Sequence, residues 1–452
     1  MLRSRPVRVT ARTIAMEIFR RVRADGAYAD LALSAALERS ALPHHEKALT
    51  TELVYGVLRN RAYLDWHLDR IASRPVAQLE NRVADALRIG AYQLLFLDRI
   101  PTYAAVDESV QMVPKRATGF VNAILRRVPR GQAGMMTPVT ADPLKAGSVR
   151  WSHPYWLLKM WADQFDVETA LAVAEANQIP PNFVLRTNTL KTDPKALATE
   201  LRKHKAQPTR YAPEGLIVQN VNNLMKGKAF VEGRFIVQGE ASQIVGELVG
   251  VHPGEKVLDL CAAPGGKATH LAALVGKTGH VYAADLHPRR LRLLRGNVKR
   301  LGIENMSVMQ IDATRAKDLG NHNGLFDRVL VDAPCSSLGT LAKNPEIRWR
   351  IQPEDPKRMS KLQKTICHNA ATHVRPGGML LYSVCTLTAA ETTDVVKAFL
   401  RRHRDFVLDD LRKWYSPRYD DFLQEDGTFL SLPHVTGAEG FFAARFVRKE
   451  KS

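Results

Sequence analysis

Apolar residues recur at helical spacing through the first 130 positions. Ala11, Ile14, Ala15, Ile18 and Val22 form one such stripe. Val83, Leu87, Ala91, Leu94 and Leu95 form a second, and Phe120, Val121, Ile124 and Leu125 a third. Asp25-Gly26, Leu42-Pro43 and Ile100-Pro101 punctuate them as turns. The pattern predicts an all-helical domain over residues 8–130. The stretch from Gly131 is rich in Gly, Pro, Thr and Ala, which predicts a linker over 131–150. Trp151-Ser152-His153-Pro154-Tyr155-Trp156 then opens two amphipathic helical segments that run to about Gln178, and Pro180-Pro181 ends them. Phe183–Arg186, Leu216–Gln219 and Phe235–Gln238 read as strands around a helix over Lys195–Lys205. Residues 151–245 are therefore expected to be helical and then a small α+β, RRM-like unit that positions substrate.

From Val257 the rhythm changes to strand, helix, strand. Val257–Leu260, Val281–Asp285, Ser307–Asp312, Arg328–Asp332 and Met379–Val384 read as strands. Pro288–Leu301 and Asp355–Val374 read as helices between them. Gly440–Phe446 reads as a closing strand. Such alternation predicts a mostly parallel sheet with helices on both faces, here over residues 246–449. The fold class is thus multidomain: α, then α/β.

The chain has 452 residues and a formal net charge of +19. Residues 1–130 alone carry 21 basic and 13 acidic residues. An excess of this size favours a polyanionic partner through phosphate contacts and counterion release. The run Arg126-Arg127-Val128-Pro129-Arg130 fits a solvated helix end and a phosphate-contacting edge equally well. No uncharged apolar stretch is long enough to span a membrane, and Met1–Pro6 lacks the apolar core of a secretory leader. The expectation is a cytoplasmic protein. Its four cysteines, Cys261, Cys335, Cys367 and Cys385, form no CxxC pair and no zinc-type cluster, so neither a metal site nor a disulfide framework is expected.

The sharpest motif is Asp259-Leu260-Cys261-Ala262-Ala263-Pro264-Gly265-Gly266-Lys267, between the first strand of the alternating region and a helix. Ligands of open α/β sheets bind at the carboxyl ends of strands. Gly265 and Gly266 allow close backbone approach, and Ala262 and Ala263 keep the turn small. The spacing is neither G-x-G-x-x-G nor G-x-x-x-x-G-K-[ST], which disfavours a pyrophosphate or a triphosphate. Asp285, at the end of the second strand, is placed to accept hydrogen bonds from ribose hydroxyls. Asp312, at the end of the third, is placed toward a base. A nucleoside without a pyrophosphate is the ligand class this pattern fits, and S-adenosylmethionine belongs to it.

Two thiols end two further strands, in Asp332-Ala333-Pro334-Cys335-Ser336-Ser337 and Tyr382-Ser383-Val384-Cys385-Thr386. Neighbouring strands would bring both to one rim, and either thiol could then be a nucleophile. Cys367 lies in a helical stretch with Leu362, Ile366 and Ala370 and reads as core. Cys261 reads as a small turn residue of the loop.

These motifs, with Phe235-Ile236-Val237-Gln238-Gly239-Glu240-Ala241-Ser242 and Glu439-Gly440-Phe441-Phe442-Ala443, resemble the RNA 5-methylcytosine methyltransferases of the NOL/NOP/Sun family. The resemblance runs from about Trp151 to Lys449. It implies a class I, Rossmann-like domain with a mostly parallel seven-stranded sheet, and S-adenosylmethionine as methyl donor. Cofactor contacts carry over to Cys261, Ala262, Ala263, Pro264, Gly265, Gly266, Lys267, Asp285, Asp312 and Asp332. It also implies that Cys385 is the nucleophile and that Cys335 assists product release. DNA cytosine methyltransferases use a Pro-Cys nucleophile, so analogy with them gives the reverse assignment. The chemistry needs a thiol because carbon 5 of cytosine is too weak a nucleophile alone, and thiolate addition to carbon 6 makes it enamine-like. Asp332 is the candidate to stabilise that adduct near ring N3.

The N-terminal helical region resembles a NusB-type RNA-binding domain. That pairing is similar to bacterial enzymes of the family acting on small-subunit (16S) ribosomal RNA, which becomes the expected partner of a monomeric, metal-free enzyme. Transfer RNA is the alternative substrate, and a non-catalytic assembly factor or a small-molecule enzyme are alternatives of other classes. Two segments depart from the usual pattern. Ala342-Lys343-Asn344-Pro345-Glu346 stands where Arg-Arg-His-Pro-Asp is usual, and Thr388-Ala389-Ala390-Glu391-Thr392 follows the nucleophile motif where Pro-Glu-Glu-Asn is usual. Both are expected to border the substrate side of the site.

Overall fold

The computed structural model describes residues 9–131, 136–315 and 324–450. Residues 1–8, which hold the start of the expected helical domain, and residues 132–135 of the expected linker lie outside the described residues. The chain forms two compact units, one of residues 1–179 with 341–352 and the other of 180–340 with 353–452.

The first unit is helical. Helices Ala11–Ala24, Ala29–Arg39, His44–Arg59 and Arg61–Asp69 precede Asn81–Phe96, followed by Thr102–Gln111 and Lys115–Leu125. Thr10 starts the first of them with a reciprocal capping box to Thr13, satisfying donors a helix end leaves open. Asn81–Phe96 is the central element. Every residue from Val83 to Leu95 is buried, so this helix is enclosed on all its faces. Its Arg88 and Asp85 stay inside because they are paired, Arg88 with Asp65 at 2.7 Å and Asp85 with Arg23 at 2.9 Å.

Three more helices, Pro143–Arg150, Tyr155–Gln164 and Val167–Ala176, belong to the same unit. The first lies in the stretch expected as linker. Asp142 caps it through Leu144 and Lys145, Pro143 sits where its missing N–H costs nothing, and Leu144 and Gly147 are buried. Composition alone hid this helix, because its only long apolar side chains are Leu144 and Val149.

The second unit begins with strands β1 (Phe183–Thr187), β2 (Ala206–Pro208), β3 (Gly215–Val218) and β4 (Phe235–Val237), with helices Pro194–Glu200 and Lys228–Val231 between them. All pairings are antiparallel and the order is β2-β3-β1-β4, the βαββαβ arrangement. The larger sheet has β5 (Lys256–Asp259), β6 (His280–Asp285), β7 (Met306–Gln310), β8 (Phe326–Asp332), β9 (Val374–Val384), β10 (Phe406–Asp409), β11 (Phe429–Ser431) and β12 (Phe441–Arg448). Seven strands run in the order β10-β12-β9-β8-β5-β6-β7, and the short β11 pairs with β12 as an eighth. The five from β9 to β7 are parallel, and β12 is antiparallel to β9. The order reverses at β5, so the carboxyl ends of β5, β6, β8 and β9 flank the switch point where such sheets bind ligands.

Candidate active site

The loop after β5 is built for close approach. Gly265 adopts φ +110°, and a Cβ there would also come within 2.6 Å of Leu294 Cδ1, so only glycine fits. The turn is pinned to its neighbours. Ala262 N–H donates to Ala284 O at 2.8 Å, and Ala263 N–H to Asp285 Oδ2 at 3.2 Å. Pro264 O accepts from Asn297 at 3.1 Å. Gly266 opens the helix Gly266–Leu274.

Cys261, Asp285, Asp312, Leu362 and Ile366 line one cavity at this rim, with Pro334 and Ala313. An apolar slot with carboxylates at its edge matches a flat base and hydroxyl-bearing ribose, so these residues fit a nucleoside. Asp285 ends β6, accepts from His287 N–H at 2.9 Å, and lies 3.5 Å from Arg290. Asp312 does not end a strand. Strand β7 stops at Gln310, and Asp312 sits in the following turn, accepting from Thr314 N–H at 3.0 Å and Oγ1 at 2.6 Å. Those bonds, Thr314's hydroxyl first, hold its carboxyl below the usual range. Asp259 is buried, and its Oδ2 has no partner among the described residues. Burial, and then the charge of Asp332, push it up to about 8.

The two thiols meet. Cys335 Sγ and Cys385 Sγ are 3.3 Å apart, at the ends of paired strands β8 and β9. Ser337 Oγ lies 3.6 Å from Cys385 Sγ and 3.9 Å from Cys335 Sγ. Ser337 has φ +59°, an unusual conformation for a residue with a side chain. Gly339 completes this loop by donating its N–H to Cys385 O at 2.9 Å. Its carbonyl accepts from Gly440 N–H at 2.8 Å. A Cβ on Gly339 would lie 2.0 Å from Gly440 O, so the approach requires glycine.

The hydrogen bond between the thiols, first of all, pushes Cys335 well up and pulls Cys385 below its ordinary value. Either sulfur can be the donor across this contact, and a proton held by one favours a thiolate on the other. Asp332 stands beside them. Its Oδ2 accepts from Lys267 Nζ at 2.7 Å and its Oδ1 from Ser383 Oγ at 2.8 Å. The ammonium of Lys267 also lies 4.7 Å from the Phe441 ring centroid. Cys261 lines the cavity with Asp285 and Asp312, and Cys367 is buried on the helix Asp355–Ala371, where burial raises its thiol.

The two unusual segments part company. Ala342–Glu346 belongs to the first unit: Ala342 O accepts from Arg59 at 2.9 Å and Glu346 Oε1 from Ala29 N–H at 3.0 Å. Glu391 lies at the centre of the thiol loops, where it accepts from Ser336 N–H at 2.8 Å. Reading from sequence missed Ser337, Ser383, Gln363 and Glu391 as functional candidates. Only the hydroxyl-rich run Thr386-x-Thr388 before Glu391 hinted at a buried carboxylate needing donors. Arg126, Arg127 and Arg130 are exposed, and each has a bond within its own unit, for example Arg130 to Asp98 O at 2.7 Å. Among the described residues, no helix is long and apolar enough to cross a membrane and no cluster of His, Cys, Asp or Glu is arranged to hold a metal ion.

Comparison with known proteins points one way. The family model described as 16S rRNA methyltransferase RsmB/F matches residues 247–447. The NusB family model matches residues 9–130. The model for a ferredoxin-like domain of RsmF/B-like methyltransferases matches residues 153–224. The probable ribosomal RNA small subunit methyltransferase B of Bacillus subtilis (strain 168) is 33% identical over 98% of this chain and 99% of its own. Ribosomal RNA small subunit methyltransferase B of Escherichia coli O1:K1 / APEC is 32% identical over 89% of this chain and 91% of its own. The crystal structure of PH0851 matches 99% of this chain and 100% of its own, with 27% identity and a TM-score of 0.80.

Proposed function

This chain belongs to the RsmB/F family of 16S rRNA methyltransferases, and on that premise we propose that it methylates carbon 5 of a cytosine in 16S ribosomal RNA through a covalent adduct with Cys385. The family is S-adenosylmethionine-dependent, and the cofactor supplies an electrophilic methyl group when bound. Cys261 to Lys267, Asp285 and Asp312 are the residues that would hold it.

The observation that carries the reading is the pair of thiols 3.3 Å apart beside Asp332 at the rim of the sheet. A thiolate at Cys385 is ready to add to carbon 6, forming the Sγ–C6 bond and raising electron density at carbon 5. Asp332, held by Lys267 and Ser383, keeps an unused lone pair on each oxygen and is available to the N3 edge of the ring. After methylation the carbon 5 proton passes to a base, the electron pair of that C–H bond re-forms the C5=C6 double bond, and the Sγ–C6 bond breaks with its pair returning to Cys385 as the thiolate. Cys335, 3.3 Å from Cys385, is placed to assist that elimination. The helical region of residues 9–130 would grip the RNA, as the charge of +19 favours. On this reading the enzyme works in the cytoplasm as a monomer without a metal.

Incubating the protein and methyl-labelled cofactor with transcribed 16S rRNA, then digesting to nucleosides, tests the reaction. Labelled 5-methylcytidine is expected. Label on another nucleoside contradicts the chemistry, and label on transfer RNA but not 16S rRNA contradicts the substrate.

A further inference from the structure

Two chemically identical thiols 3.3 Å apart share a site, yet the proposed reaction gives them opposite roles. Something must break the symmetry. The candidate is a carboxylate that the reaction itself does not use.

Glu391 is fully buried on the short turn Ala389–Glu391. Its Oε1 accepts from Ser336 N–H at 2.8 Å and from Gln363 Nε2 at 3.0 Å. Its Oε2 accepts from Ser336 Oγ at 2.5 Å, Thr388 Oγ1 at 3.0 Å and Thr386 Oγ1 at 3.4 Å. Ser336 follows Cys335, and Thr386 follows Cys385. Gln363 also donates to Pro334 O, on the other side of Cys335, at 3.0 Å. One carboxylate therefore holds both flanks of Cys335 and the residue after Cys385. A buried charge is costly unless several donors satisfy it. Five donors do so here, and all come from the two thiol loops and the helix behind them.

We infer that Glu391 is the positioning residue that fixes which thiol carries the proton, by holding a buried negative charge against the Cys335 loop and locking the two loops together. The inference rests on the reading that Cys385 attacks. Its electrostatic sign is consistent with the geometry: the charge of Glu391 disfavours a thiolate at Cys335, and Lys267 favours one at Cys385. Asp332, paired with Lys267 at 2.7 Å, opposes the second effect and outweighs it, so the bias that matters is the one Glu391 adds at Cys335.

Site-resolved alkylation of the full-length protein with iodoacetamide, across neutral to alkaline pH, reads the proton's location without RNA. Wild type should alkylate at Cys385 ahead of Cys335. Glu391→Gln keeps the shape and removes the charge. It should shrink the Cys385-to-Cys335 rate ratio by about tenfold, one pKa unit, and move the Cys385 midpoint upward. Glu391→Asp keeps the charge on a shorter arm and should retain most of the preference. Melting temperature and cofactor binding report that each variant is folded. If the Gln variant does not fold, Ser336→Ala decides, since it removes one tie and keeps the charge, and should give a smaller shift of the same sign. A folded variant with unchanged ratio and midpoint overturns the inference alone. A wild type that alkylates first at Cys335 overturns the inference together with the reading beneath it.

Discussion

Cys335 and Cys385, fifty residues apart in the chain, place their Sγ atoms 3.3 Å from each other. At that distance one sulfur can donate to the other, so the contact is an electrostatic arrangement as much as a packing one.

That arrangement sets a pH dependence. Cys385 titrates below an ordinary thiol, with the hydrogen bond from Cys335 as the first cause. Its thiolate is present above its lowered pKa and is lost as pH falls through it. The acid limb of kcat/KM for RNA methylation should therefore lie below that of an ordinary thiol. Measuring kcat/KM against pH for wild type and Cys335→Ala checks this. The variant loses the donor but keeps the burial, so any residual activity should show a midpoint shifted upward.

The cofactor loop depends on a backbone shape. Gly265→Ala forces a side chain onto φ +110° and into Leu294. The expected cost is more than about 1 kcal/mol of stability, with cofactor affinity down roughly tenfold or more. Calorimetric titration with S-adenosylmethionine measures it. Gly296, exposed on a helix with open space where a Cβ would be, should tolerate Ala and serves as control.

Asp285 is the acid best placed at the cavity proposed to hold the cofactor, since it is buried and organised by Ala263 and His287. Asp285→Ala should weaken cofactor binding by roughly 10- to 100-fold, a loss of about 1.5–3 kcal/mol for a hydrogen bond to a charged group. RNA affinity should be little changed. Equilibrium binding of each ligand separates the two effects.

Much of this site was legible because its chemistry sits at strand ends. The alternation from Val257 located β5, β6, β8 and β9, and the helix Pro288–Leu301 ran between its proline and the left-handed Gly302 as expected. Asp312 was misplaced by two residues because strand β7 ends in polar Gln310 and the chain stays extended-looking in sequence through Ile311. Short strands β2, β10 and β11 escaped notice; β2, Ala206-Gln207-Pro208, has no apolar run to mark it. Glu391 stayed hidden for another reason. Its partners, Ser336, Gln363, Thr386 and Thr388, are scattered in sequence and become a binding shell only after folding. The grouping of Leu341–Gln352 with the helical unit was likewise a tertiary fact with no local signal.

That segment yields a stability prediction. Arg348 is fully buried, donating to Ser152 O at 3.0 Å and Leu341 O at 3.1 Å. Trp349 donates its ring N–H to Leu58 O at 3.0 Å. Arg348→Ala leaves buried carbonyls unpaired and a cavity behind, and should destabilise the helical unit by about 3 kcal/mol. Differential scanning calorimetry should show a lowered transition for that unit, and an unchanged thermogram would argue against the burial of Arg348.

The account turns on which thiol attacks, and covalent capture decides it. Wild type, Cys385→Ala and Cys335→Ala are each incubated with 16S rRNA and S-adenosylmethionine, then run on a denaturing gel. No adduct should form with Cys385→Ala, and a protein–RNA adduct should accumulate with Cys335→Ala, because elimination is impaired. An adduct with Cys385→Ala and none with Cys335→Ala would contradict the account.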